Sequence, residues 1–129
     1  AKEGALKMTE VSYIPCLSLP SGELKHGVIA LISEGSPVVA IAPSDSQMTM
    51  METSIRECKS RGAKIILITD SEGPISELAD TLIQTQEVHP LLSPLVTVLP
   101  IQLLAYKVAK LRGTNVDRPR NLAKSVTVV

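Results

Sequence analysis

Three side chains in this chain have the chemistry of acid–base or covalent catalysis at positions that suit it. Glu10 follows Lys7 by three residues in a helical pattern, so a cation lies one turn away and favours the ionised carboxylate that a general base needs. His26 precedes Gly27, and an imidazole titrates near neutral pH and can transfer protons. Lys124 is the single lysine of the last 17 residues, and its amine can form a Schiff base with a carbonyl compound.

Each of these residues also has an ordinary structural interpretation. Glu10 can be a solvated helix glutamate paired with Lys7. Lys7 in turn stands four residues after Glu3, a spacing that stabilises a helix by roughly 0.2–0.5 kcal/mol, and both roles of this lysine can hold at once. His26 can be a loop residue without a task, and Lys124 can be a solubilising charge. The residues by themselves leave these alternatives open.

Composition excludes several function classes. The 129 residues are the size of one domain, and 44% of them are hydrophobic with no Trp or Phe, which predicts an aliphatic core. Thirteen basic residues balance thirteen acidic ones, so charge favours neither nucleic acid nor membrane as a partner. Cys16 and Cys58 form no disulfide framework, and we expect both to be reduced in a cytoplasmic protein.

Metal and membrane signals are also missing from the sequence. No cluster of Cys and His has the spacing of a metal site, and we expect no metal and no cofactor. No uninterrupted apolar run comes near the roughly 20 residues of a membrane span.

Strands and helices alternate along the chain. The continuous apolar run at 37–42 and the segment 64–69, with Ile-Ile-Leu-Ile at its centre, predict strands that are buried on both faces, and a further strand is expected over 81–85. Helices are expected at 2–13 and 93–112. This alternation predicts an α/β domain whose parallel sheet is flanked by helices.

Two details of the helices are predicted from local patterns. Ser44 or Asp45 is expected to cap a helix that Gly62 closes. The last long helix is expected to face inward with Leu95, Val98, Gln102 flanked by Leu103, then Ala105, Val108 and Leu111.

Several stretches together resemble one enzyme family. The stretch 117–128 reads Asp-Arg-Pro-Arg-Asn-Leu-Ala-Lys-Ser-Val-Thr-Val and is similar to the C-terminus of the glutamine–fructose-6-phosphate aminotransferases (isomerizing), the glucosamine-6-phosphate synthases. Stretches 3–7, 22–27 and 102–106 agree with the same family. The chain departs from it at its last residue, Val129, where relatives have Glu, and at Thr9 and Val28, which are commonly Lys and Pro.

The resemblance implies a fold and a domain. It implies an α/β three-layer SIS-type (sugar isomerase) domain with a parallel sheet flanked by helices, lacking its first strand. Residues 1–129 are then the second SIS domain of the enzyme, truncated at the N-terminus, with a C-terminal tail at 113–129. The implied partners are a sugar phosphate (fructose 6-phosphate or glucosamine 6-phosphate), the missing glutaminase and first SIS domains, and a second copy in a homodimer.

The resemblance also implies roles for individual residues. Glu10, with Lys7 beside it, moves a proton between C1 and C2 of the sugar, and His26 opens the sugar ring in the active site of a neighbouring subunit. Lys124 forms a Schiff base with the open-chain ketose. Ala123 and Glu3 are implied to bind the sugar.

The implied function is the isomerase half of an enzyme that makes glucosamine 6-phosphate from fructose 6-phosphate and ammonia derived from glutamine. The family takes its phosphate-binding loop from the preceding SIS domain, so we expect this chain alone to be inactive. The alternative is a non-catalytic SIS-type module that binds a sugar phosphate or only dimerises.

Overall fold

A computed structural model describes residues 1–45 and 47–123 of the chain. The residues group into two compact units by their contacts. One unit contains Ala1–Ser18 and the chain from Ile101 onward, and the other contains Leu19–Pro100. Each unit is described by itself below.

The second unit is built on a parallel sheet of three strands. Strands β1 (Pro37–Ile41), β2 (Lys64–Thr69) and β3 (Thr81–Gln84) lie in the order β1-β2-β3. Val38 is in register with Ile65, and Ile66 with Thr81. The predicted parallel sheet is therefore confirmed, and β2 has the predicted bounds.

The core of this unit lies between the sheet and helix α2 (Met48–Lys59). Strand β2 is the central strand, and its side chains Ile65 and Leu67 are fully buried. Ile55 and Cys58 of α2 pack against them. Leu and Ile side chains dominate because the strand is covered on both faces, as its uninterrupted apolar run predicts.

The predicted cap of α2 is wrong. The helix begins at Met48, and Gln47 occupies the cap position without a side-chain cap bond. The two polar side chains expected there hold the preceding turn instead. Asp45 Oδ1 accepts a hydrogen bond from the Gln47 N–H at 2.7 Å, and the Ser44 hydroxyl donates to Asp70 at 2.8 Å.

Asp80 ties the start of β3 to β2. Its carboxylate accepts a hydrogen bond from the Ile65 N–H at 2.8 Å, and the ammonium groups of Lys64 and Lys59 lie within 3.4 Å. These contacts, first of all the backbone hydrogen bond, lower the pKa of Asp80 to about 2. The charged form is thus the one that holds the two strands together.

The first unit is built on the packing of two helices. Helix α1 (Lys2–Ser12) lies against the later part of helix α3 (Ser93–Leu111). Val11 of α1 contacts a cluster formed by Ala105 and Ala109. Nearer the N-terminus, Gly4 is buried, and a Cβ atom built on it would overlap the side chain of Ile101.

The predicted inward face of α3 is largely wrong. Among its expected members Ala105 is buried, but Leu95, Leu103 and Leu111 have exposed fractions of 65%, 53% and 88%. The helix instead buries Thr97, Ile101, Ala105 and Ala109. Two of these residues, Ala105 and Ala109, are small and allow close approach of the helix backbones, while several leucines of α3 lie outside.

The apolar character of α3 extends over a long segment. By length and composition alone, Pro90–Leu111 is apolar enough to cross a membrane. Polar residues such as Gln102 interrupt the apolar run without ending the helix, so no uninterrupted apolar run in it comes near 20 residues. Core helices of soluble proteins and signal sequences meet the same criterion.

The close contact between Gly4 and Ile101 predicts how a substitution at Gly4 changes the free energy of unfolding. In an ordinary helix interior Gly4→Ala would stabilise by about 1 kcal/mol. Here the added methyl group overlaps the β-branched Ile101 side chain, and overpacking of this kind costs about 1–3 kcal/mol. We expect Gly4→Ala to lower the midpoint of urea unfolding.

The same substitution in an Ile101→Leu background tests the cause. Leucine has no branch at Cβ, so the double variant should recover stability relative to Gly4→Ala alone. Unfolding midpoints that fall equally in both backgrounds would contradict the close approach.

Candidate functional site

Three of the predicted site residues lie on α1. The ammonium group of Lys7 donates a hydrogen bond to Glu10 Oε2, one turn further along the helix. The two side chains are 34% and 28% exposed, so the pair is half-buried but reachable from solvent. The hydrogen bond to Glu10, followed by the charges of Glu10 and Glu3, raises the pKa of Lys7 against the opposing effect of burial. Lys7 therefore stays charged beside the carboxylate.

Glu3 has a different partner from the one that its spacing suggests. Its Oε1 atom accepts a hydrogen bond of 3.4 Å from the Gln102 side chain on α3. Among the described residues Lys7 forms its ion pair with Glu10. The i, i+4 pair of Glu3 with Lys7 is therefore not the interaction that holds this lysine.

The Lys7–Glu10 pair suits general-base chemistry. The hydrogen bond from Lys7 orients the Glu10 carboxylate. The Glu10 side chain keeps enough exposure for a ligand to reach it.

The C-terminal segment is attached to the end of α1. The Thr114 hydroxyl donates to the Val11 carbonyl at 2.6 Å, and the Arg120 N–H donates to the Tyr13 hydroxyl at 2.9 Å. Val116 packs on the apolar cluster of the same unit. Residues 114–120 are thus attached to the helix that carries Glu10.

The end of this segment is described only as far as Ala123. Leu122 is 53% exposed, and Lys124, Val126 and Val128 lie outside the described residues. Ala123 is described and exposed, three residues beyond Arg120.

His26 belongs to the second unit. It is the last residue of a 3-10 helix, Ser21–His26, where the sequence had predicted a loop, and Gly27 follows with φ 135°. The Ser54 hydroxyl donates to the Ser21 carbonyl at 3.2 Å. His26 is exposed at the end of this braced turn, which leaves its imidazole accessible.

An ion pair also holds the turn that ends in His26. Lys25 pairs with Glu57 of α2 at 2.7 Å. The residue before His26 is therefore fixed to a long helix.

A depression of about 520 Å³ lies at the carboxyl ends of the strands, where α/β sheets commonly bind ligands. It contains three carboxylates, those of Asp70, Glu72 and Glu87, together with Ser44, Ser71, Gln84 and Thr85. Three acidic groups repel a phosphate dianion. Within residues 1–45 and 47–123, no group of three or more His, Cys, Asp or Glu is arranged to hold a metal ion.

Sequence reasoning missed Tyr13 and Thr114 and gave Arg120 no task. Tyr13 and Arg120 are 107 residues apart, and no periodicity connects two such positions. Both belong to stretches adjoining the candidate catalytic residues, and that proximity in sequence was the one available signal.

Comparisons with known proteins extend this description. The family model of the SIS domain matches residues 1–112. A glutamine–fructose-6-phosphate aminotransferase [isomerizing] of Thermococcus kodakarensis is 55% identical over 99% of the chain, and one of Thermus thermophilus is 52% identical over 99%. The chain spans 21% of the length of each of these relatives.

Solved structures agree with the fold. The C-terminal domain of glucosamine-fructose-6-phosphate aminotransferase from Francisella tularensis superposes with a TM-score of 0.79 and 36% identity, over 89% of this chain and 33% of that one. A putative phosphosugar isomerase from Silicibacter pomeroyi gives a TM-score of 0.72 at 23% identity over 88% of this chain and 34% of that one, which bears on the fold alone.

Proposed function

The chain belongs to the SIS domain family, and we propose that it is the second, C-terminal SIS domain of a glutamine–fructose-6-phosphate aminotransferase (isomerizing). The domain takes in residues 1–129 and ends in a tail at 113–129. The half-buried Lys7–Glu10 pair carries the proposal, because isomerisation needs one oriented carboxylate. The enzyme converts fructose 6-phosphate and glutamine to glucosamine 6-phosphate and glutamate.

The proposed chemistry is a proton transfer between two carbons. Lys124 first condenses with the C2 carbonyl of the open-chain ketose, with loss of water, and ammonia then displaces the lysine amine and leaves an imine at C2. Glu10 removes a proton from C1, the electron pair forms the C1–C2 double bond, and the imine nitrogen gains a proton from solvent. Glu10 then returns its proton to C2, while the O1–H proton passes to solvent and its bonding electrons form the C1 carbonyl.

The other site residues serve the steps around this transfer. Lys7 donates a hydrogen bond to Glu10 and so holds its carboxylate in place for the proton transfer. His26, on its exposed turn, transfers the protons that open the sugar ring in a neighbouring subunit. Lys124 forms a Schiff base with the open-chain ketose, and Ala123 and Glu3 contact the sugar.

Other parts of the enzyme supply what this chain lacks. The depression at the strand ends is acidic, so the phosphate group is bound by a preceding SIS domain, and a glutaminase domain supplies ammonia. Helix α3 exposes an apolar stripe of Leu95, Leu99, Leu103 and Tyr106. A stripe of this size suits contact with those domains or with a second copy in a cytoplasmic homodimer.

The chain alone should not isomerise fructose 6-phosphate. A phosphate dianion needs several fixed donors, and the depression at the strand ends presents carboxylates instead. The measurement is glucose 6-phosphate formed by the purified chain. Product above a buffer blank would contradict the proposed division of labour.

Glu10→Gln tests the proposed base in the full-length enzyme. Glutamine keeps the size of the side chain and loses the proton acceptor, so glucosamine 6-phosphate formation should fall about 10²–10⁴-fold while sugar binding stays nearly unchanged. Exchange of the C1 hydrogen of the sugar with solvent deuterium, followed by NMR, reports the proton transfer directly.

A matched control is available on α2. Glu52 also forms an intrahelical ion pair, with Arg56 at 2.8 Å, and Glu52→Gln should leave exchange unchanged. Wild-type exchange in Glu10→Gln would make Glu10 an ordinary helix glutamate. Sugar-phosphate binding without exchange in the wild-type enzyme would favour the non-catalytic binding module.

A further inference from the structure

Tyr13 holds the C-terminal segment by two contacts of different kinds. Its hydroxyl oxygen accepts the hydrogen bond of 2.9 Å from the Arg120 N–H. The guanidinium group of Arg120 lies over the ring of Tyr13, 4.2 Å from its centroid, within the range of a cation–π interaction. One aromatic side chain therefore binds both the backbone and the side chain of a residue 107 positions away.

Tyr13 occupies an unusual backbone conformation. Its φ of 59° and ψ of 26° lie in the left-handed region, which a bulky residue rarely adopts, while its N–H closes α1 by a hydrogen bond to the Thr9 carbonyl. Glycine or asparagine would end a helix here with less strain. A tyrosine at this position points to a task for its side chain.

The segment between α3 and Arg120 follows a defined path. Thr114 is bonded to Val11, and the Asn115 side chain accepts hydrogen bonds from the N–H groups of Asp117 and Arg118, both at 3.0 Å. The contact of Arg120 with Tyr13 is the last of these attachments. Beyond it, Ala123 is only three residues away.

We propose that Tyr13 and Arg120 form a latch that fixes residues 114–120 on the end of α1, one helical turn from Glu10, and thereby sets the point from which Ala123 and Lys124 act in the proposed function. Tyr13 is a positioning residue in this scheme. The inference rests on the proposed function for its catalytic consequence, whereas the latch itself can be measured separately.

The two residues of the latch are close in sequence to Glu10 and to Lys124. Tyr13 follows Glu10 by three residues, or roughly 5 Å along a helix axis. Lys124 follows Arg120 by four residues, which span at most about 14 Å when extended. A short tether raises the effective concentration of the Lys124 amine near the sugar.

Amide exchange in the full-length enzyme tests the latch without any assay of activity. Tyr13→Phe keeps the ring and removes the acceptor, so exchange of the Arg120 amide should quicken about fivefold, the value of one net hydrogen bond. Tyr13→Ala also removes the ring and should quicken it further. Tyr106→Phe, at the other tyrosine of the chain, is the matched control and should leave Arg120 unchanged.

Turnover tests what the latch is for. Tyr13→Ala should slow glucosamine 6-phosphate formation about tenfold or more, and Tyr13→Phe should recover most of the loss because the ring still holds Arg120. Since the latch acts through the tail, Tyr13→Ala should cost little further rate in a Lys124→Met background. Glutaminase turnover should not change.

Several results would overturn the proposal. Unchanged Arg120 exchange in Tyr13→Phe and Tyr13→Ala would remove the latch. Multiplying losses in Tyr13→Ala/Lys124→Met would make Tyr13 a merely structural residue. If Lys124→Met leaves turnover unchanged, the proposed role of the tail fails, and Arg120 exchange still decides whether the latch exists.

Discussion

The close packing of α1 on α3 is the constraint on which the candidate site depends. Gly4 lies so near Ile101 that a single added carbon would overlap it, and Val11 contacts Ala105 and Ala109 at the other end of α1. Contacts at both ends fix the position and rotation of the helix. The face that carries Lys7 and Glu10 is thereby presented to solvent in one orientation.

The candidate catalytic residues of this chain do not lie where α/β proteins usually bind their ligands. The carboxyl ends of the strands usually hold the ligand, yet here they surround a depression with three carboxylates. The candidate pair of Lys7 and Glu10 belongs instead to a helix of the other unit. A domain of this kind can supply catalytic groups to a substrate whose phosphate is bound elsewhere, which agrees with its covering only 21% of the length of its relatives.

Local patterns predicted most of the fold. The run 64–69 gave a strand with the observed bounds, because a strand covered on both faces is apolar throughout. The inward face of α3 was mispredicted because hydrophobicity favours leucine, whereas close helix contact selects alanine and glycine. Leu103 is exposed for that reason, and Ala109 is fully buried.

The candidate site, like the fold, could be predicted from the sequence only in part. The Lys7–Glu10 pair was predictable because both residues lie one turn apart on one helix. Tyr13 and Arg120 meet only after α1 and the segment following α3 have come together, so their contact depends on tertiary structure. The sequence resemblance implied roles for Ala123 and Lys124 but gave no indication of the contact between Tyr13 and Arg120.

The central claim is that Lys7 serves the base Glu10 and does not merely stabilise α1. A double-mutant cycle on kcat/KM of the full-length enzyme, with Lys7→Met and Glu10→Gln, tests it most directly. If Lys7 acts through Glu10, the double variant should be about as slow as Glu10→Gln alone. Losses that multiply in the double variant, with each residue acting independently, would contradict the account.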